Sequence, residues 1–142
     1  MTPSDTGPEL SHRFLPDLTD FNRGFWTSGS DGVLRVRRCT ACGTWQHPPR
    51  VMCPQCRSRQ LDWAGTAGVG SVYSYTVNWR PWNPVVPVPY VIALVELDEQ
   101  AGLRLTTNLV NCDLSSLAIG LRVEVVFEAH GEIYVPLFQP LI

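Results

Sequence analysis

Lysine is absent from this 142-residue chain, and all 11 of its basic residues are arginine. A phosphate-binding loop of the Walker type, a Schiff-base lysine and a pyridoxal anchor are therefore excluded. Charge of either sign is scarce, at 17% of residues against about 25% in an average soluble domain. Such a surface has room for a buried partner interface. A net charge of -2 gives the whole molecule no pull toward nucleic acid or anionic membrane. No run of about 18 apolar residues occurs, and residues 1–10 lack the charged start and apolar core of a signal peptide, so the chain is expected in the cytoplasm and not in a membrane.

Catalytic patterns are missing as well. The three histidines, His12, His47 and His130, fall in a polar leader, a cysteine-rich unit and a turn, and none neighbours a plausible nucleophile. There is no Gly-x-Ser-x-Gly elbow. The Gly68-Val-Gly70 pair lacks the third glycine of a dinucleotide loop, because position 73 is Tyr. Catalysis by this chain's own side chains is not expected, and 142 residues are too few for a nucleotide domain plus a substrate domain.

What the chain does hold is a strong metal signal. Cys39 and Cys42 form one Cys-x2-Cys turn, and Cys53 and Cys56 a second, ten residues further on. Two such turns aim four thiolates at one ion, the tetrahedral sulfur set that zinc prefers and iron takes less often. Four thiolates leave no open position, so the metal is structural and His47 is not needed as a ligand. In a reducing compartment a disulfide pairing is disfavoured. Gly43 permits the tight turn after the first knuckle and Pro54 stiffens the second. The lone Cys112 reads as a small buried hydrophobe.

Positive charge gathers on the same unit. Arg35, Arg37, Arg38, Arg50, Arg57 and Arg59 stand there with no acid among them, while residues 1–34 and 60–142 are acidic overall. Part of this excess offsets the formal -2 of a four-thiolate zinc site. The remainder can receive an anion: a phosphate-bearing cofactor, an acidic partner surface or nucleic acid.

The organisation follows in four parts. Residues 1–16 read as a flexible leader. Residues 17–32 predict a short amphipathic helix capped by Asp17, with Leu18, Phe21 and Phe25 on one face and Gly24 weakening it. Phe25 and Trp26 must either pack on their own chain or dock into a partner. Residues 33–63 form the zinc ribbon. Residues 64–142 carry five β-prone runs at 70–78, 90–97, 103–109, 121–128 and 133–138, with a helical turn at Asp113 and a hairpin turn at His130-Gly131. This suits a small Greek-key barrel of OB type, although spacing alone fits an SH3-like barrel nearly as well. The link from Trp79 to Pro89 has four prolines and two tryptophans and reads as a stiff aromatic arm. It either covers the barrel's open end or presents Trp79 and Trp82 to a ligand or partner.

The sequence FNRGFW, the four-cysteine segment CTACGTWQHPPRVMCPQC, the strand GVGSVYS, PYVIALVELD with Tyr90, NCD, IGLRVEVVFE and the final PLFQP together resemble the domain of unknown function 35 family. The resemblance covers residues 17–142. It implies a rubredoxin-like zinc ribbon joined to an OB-fold, with zinc on Cys39, Cys42, Cys53 and Cys56, and an association with acyl-CoA metabolism beside thiolase-like proteins. On that basis the chain is expected to be a non-catalytic accessory subunit, with retro-aldol cleavage of a steroid side-chain acyl-CoA by an aldolase or thiolase-like partner as the sharpest expectation. Phe25, Trp26, Trp79, Trp82 and Tyr90 are the expected partner or ligand contacts, and Arg37, Arg38 and Arg50 the candidate contacts to CoA phosphates. The alternatives are a subunit that binds or delivers acyl-CoA to a hydratase or thiolase, and a nucleic-acid-binding OB module. The last requires a basic track along the barrel, whereas three arginines face eight acids over residues 60–142.

Overall fold

The computed structural model describes residues 13–142; the greater part of the expected leader, with His12, lies outside the described residues. A short helix α1 (Arg23–Trp26) and a 3-10 turn (Ser28–Asp31) lead into a three-stranded sheet of β1 (Arg35–Cys39), β2 (Trp45–Gln46) and β3 (Leu61–Gly65), ordered β2-β1-β3. There follow β4 (Val69–Asn78), β5 (Tyr90–Leu97), β6 (Arg104–Leu109), a 3-10 turn (Leu114–Ser116), β7 (Arg122–His130) and β8 (Ile133–Pro140).

The last five strands close into a barrel in the order β4-β5-β6-β8-β7. Two pairings settle the choice that spacing left open. The first barrel strand closes against the fourth, with Gly70 opposite Val123, and the third meets the fifth in parallel, with Leu109 opposite Phe138. That is the OB-fold. Alternation along β5 sends Val91, Ala93, Val95 and Leu97 inward, where they meet Val72, Val123 and the fully buried Phe138. A bulge between Val72 and Ser74 bends β4, and the backbone approaches so closely at Gly70 that a Cβ would stand 2.3 Å from the Glu96 carbonyl oxygen.

The N-terminal helix is shorter than its hydrophobic pattern predicts. Thr19 and Asn22 bond reciprocally, each backbone N–H donating to the other's side-chain oxygen at 2.8 and 3.2 Å, so the turn begins there and not at Asp17. Leu18 packs against a satellite cluster around Ile133, Val135 and Leu137, and Phe21 is exposed. The three residues thus do not share a face. Asp113 does precede a single 3-10 turn, but its side chain makes no capping bond.

Helix, ribbon and barrel share one core. Phe25, Leu34, Val36 and Trp45 belong to the same buried cluster as the barrel interior, which gives the small ribbon the apolar support it cannot generate alone. Gly24 has a reason beyond helix propensity: a Cβ there would stand 2.4 Å from the Trp63 ring of β3. Gln100, on the β5–β6 turn, accepts from the Trp45 N–H at 3.0 Å and donates to the Trp45 carbonyl at 3.1 Å, imitating a strand neighbour for β2.

Candidate metal centre and docking face

The two cysteine turns are built alike. In the first, the Cys39 N–H donates to the Thr44 carbonyl at 2.8 Å and the Gly43 N–H to the Cys39 carbonyl at 2.8 Å; in the second, Cys53 and Ser58, then Arg57 and Cys53, repeat the pattern at 2.9 Å each. Gly43 and Arg57 hold equivalent places with φ of +83° and +66°. Glycine takes that conformation freely and arginine takes it under strain.

The ligand atoms of Cys39, Cys42, Cys53 and Cys56 lie within 4.8 Å of one another. Sulfur pairs 39–56 and 42–53 are each 3.6 Å apart. A tetrahedron with zinc–sulfur bonds of about 2.3 Å has edges of about 3.8 Å, so the donor set fits zinc in both chemistry and size. Hydrogen bonds hold three thiols below their ordinary pKa: the Cys42 amide acts on Cys39, the Thr44 hydroxyl on Cys42 and the Cys56 amide on Cys53. For Cys56 the Ser58 amide works the same way, but burial and the three neighbouring sulfurs outweigh it and push the thiol up to about 12. A divalent cation is what such crowded sulfurs need to ionise together. Zinc bound here would tie the two turns to each other, and no further donor is required.

His47 stays outside this set. Its ring stacks on Phe25 with centroids 4.7 Å apart, and burial lowers its pKa to about 4, so the ring is neutral at pH 7. The arginines of the ribbon are largely occupied. Arg35 grips Asp31 through two bonds of 2.9 and 2.7 Å. Arg37 lies over Trp63, and Arg38 lies over Trp45 while its Nε donates to the Gly43 carbonyl. As consecutive residues of one strand, Arg37 and Arg38 point to opposite faces. The structure therefore does not gather Arg37, Arg38 and Arg50 into one phosphate pocket; Arg50 stands exposed in the loop after β2.

The arm between β4 and β5 is irregular, and its two indoles project: Trp79 is 66% and Trp82 72% exposed. Trp82 is nonetheless braced. The Trp82 Nε1 donates to the Asn78 side-chain oxygen at 3.1 Å, the Asn78 amide donates to the Arg80 carbonyl at 2.9 Å, and the Arg80 guanidinium stacks on the Trp82 ring at 4.6 Å. Tyr73 and Tyr75 of β4 are exposed as well. Their alternation in VYSYTV was visible in the sequence, but which face they crossed to was not. Of the other expected contacts, Tyr90 and Trp26 are half-buried, whereas Phe25 is a core residue, 4% exposed, and is not presented to a partner. The Phe25 and Trp26 rings pack edge-on at 4.9 Å. Sequence reasoning missed a cleft of about 870 Å³ where α1 and the His47-Pro48-Pro49 turn lean on the outer face of β5 and β6. It is formed by segments far apart in the chain, so no local pattern announces it.

Comparison with known proteins gives matches along most of the chain. Residues 26–62 match the ChsH2 rubredoxin-like zinc ribbon domain and residues 63–128 the ChsH2 C-terminal OB-fold domain. A probable enoyl-CoA hydratase alpha subunit from Thermomonospora curvata is 42% identical over 128 residues, which is 89% of this chain and 40% of that protein. The 3-oxo-4,17-pregnadiene-20-carboxyl-CoA hydratase alpha subunit of Mycobacterium tuberculosis is 34% identical over 125 residues, 88% of this chain and 39% of that one. The chain thus spans about two fifths of the length of these relatives. Among solved structures, the chain matched in the Ltp2-ChsH2(DUF35) aldolase superposes with a TM-score of 0.80 at 40% identity, covering 90% of this chain and all of that one.

Proposed function

Because the chain belongs to the DUF35 family, as a ChsH2-type zinc ribbon joined to an OB-fold, we propose that it is the non-catalytic accessory subunit of an acyl-CoA-processing complex. The partner is a thiolase-like aldolase, and the reaction is retro-aldol cleavage of a steroid side-chain acyl-CoA. The names of its relatives, an aldolase assembled with a DUF35 chain and a steroid-acyl-CoA hydratase subunit, support this choice of chemistry. Bond cleavage belongs to the partner. This chain stabilises the partner and lies beside the acyl-CoA at the shared site. The thiolate cage suits the reducing cytoplasm, where we place the complex.

The observation that carries the reading is the exposed pair Trp79 and Trp82, the second of them braced. Asn78 and Arg80 hold the Trp82 ring in place before any contact forms, so less entropy is lost on docking. Indoles presented in this way are the kind of residue that dominates interface energy. Replacing both Trp79 and Trp82 by Ala should weaken assembly with the thiolase-like partner by about 3 kcal/mol, over a hundredfold in Kd, while zinc content and the circular dichroism spectrum stay unchanged. Sedimentation of the co-expressed pair reads the result, and an intact complex with the double variant would remove the arm from the interface.

A further inference from the structure

Beyond the role of docking piece, we infer that the cleft between α1 and the barrel is a binding site for a neutral, largely apolar molecule carrying a carbonyl group, which His47 Nε2–H holds. The inference stands apart from the partner reading, because it concerns the chain alone. At about 870 Å³ the cleft falls within the range of small-molecule sites, roughly 300–1,000 Å³. Its lining is largely apolar and includes Phe25, Trp26, Ile92, Leu94, Val135 and Leu137. Two cations reach it, and both are already neutralised. Arg13 pairs with Glu128, and Arg104 pairs with Glu96 at 3.0 Å while lying over the Tyr73 ring. An anionic head group would find no uncompensated charge there, which favours a neutral occupant.

The polar groups are few and mostly committed. The Thr107 hydroxyl donates to the Pro136 carbonyl at 3.0 Å and the Asn108 amide to the Val91 carbonyl at 2.9 Å. His47 is different. Its Nδ1 is sealed from water without a partner, its Nε2 is not sealed, and among the described residues neither nitrogen has a hydrogen bond. The neutral ring, in the Nε2–H tautomer that free histidine prefers, then offers one donor to the cleft, and a ligand carbonyl oxygen is its complement. A ring stacked on Phe25 is already fixed in orientation, as a specificity group in an apolar pocket must be.

The test uses the zinc-loaded full chain and prodan, a neutral naphthalene ketone whose emission shifts to the blue in apolar surroundings, with 2-ethylnaphthalene as a competitor of similar shape lacking the carbonyl. Prodan should bind saturably. Thr106→Trp, at an exposed cleft position on β6, should abolish the shift by filling the space. His47→Phe should weaken prodan about fivefold, the loss of one hydrogen bond, and leave the affinity for 2-ethylnaphthalene unchanged. A saturable shift that survives Thr106→Trp, or no saturable shift in the parent, would overturn the site. An equal loss for both probes in His47→Phe would overturn the carbonyl contact, since a merely structural role for the imidazole produces that pattern.

Discussion

Cys53 is fully buried, and its sulfur lies 3.6 Å from that of Cys42 in the other turn, so the ribbon depends on it twice, as ligand and as packing. Cys53→Ser should drop zinc from one ion per chain toward none, and with it the order of residues 39–58, which chelator-based zinc assay and amide exchange would record; full zinc retention would contradict the four-thiolate cage. His47 makes a second prediction. Its folded pKa of about 4 lies below the ordinary 6.5, so the unfolded chain takes up the proton first as pH falls. The stability that a neutral imidazole lends is complete above pH 6.5 and is lost as pH drops through that window toward 4, by about 3 kcal/mol. Urea denaturation of the parent and of His47→Phe at several pH values isolates this from any acid loss of zinc: the parent's advantage should shrink by that amount, whereas a constant gap would contradict it. The cysteine set was legible residue by residue because two-residue spacing is itself the geometry of a knuckle. The fates of Arg37 and Arg38 were not, because charge counting ignores that neighbours on a strand face opposite ways.

Among the elements, strands were the readable part. The runs expected at 90–97 and 103–109 appear almost unchanged, since β-branched and apolar alternation there has no competing periodicity. The helix expected from Asp17 shrank to Arg23–Trp26, since a local Thr19–Asn22 bond pair set the start and each apolar side chain found a different neighbour. Gly24 shows how tertiary contact overrides propensity. In an isolated helix Gly24→Ala would stabilise, yet here the added methyl meets Trp63 at 2.4 Å. The substitution should instead cost about 1–3 kcal/mol by chemical denaturation; a gain in stability would mean that the Trp63 ring moves aside freely. Strand spacing could not choose between barrel types, because the deciding pairs, Gly70 with Val123 and Leu109 with Phe138, join residues some 30 to 50 positions apart.

At the scale of the whole molecule, ribbon and helix are not an appendage. Leu34, Val36 and Trp45 lie in the barrel's own core cluster, and Trp26 packs against it. The low overall charge noted in the sequence finds its place here too: Arg37, Arg38, Arg80 and Arg104 are laid over aromatic rings, leaving a surface richer in flat apolar area than its arginine count suggests. Such a surface suits the docking role proposed above. The most direct measurement is turnover of a β-hydroxyacyl-CoA thioester by three samples: this chain alone with zinc bound, the thiolase-like partner alone, and the two purified together. The expected result is a stable mixed complex that cleaves the substrate, a partner that is weak or unstable by itself, and no turnover by this chain. Cleavage by the isolated chain, or a partner fully active and unassociated in its presence, would contradict it.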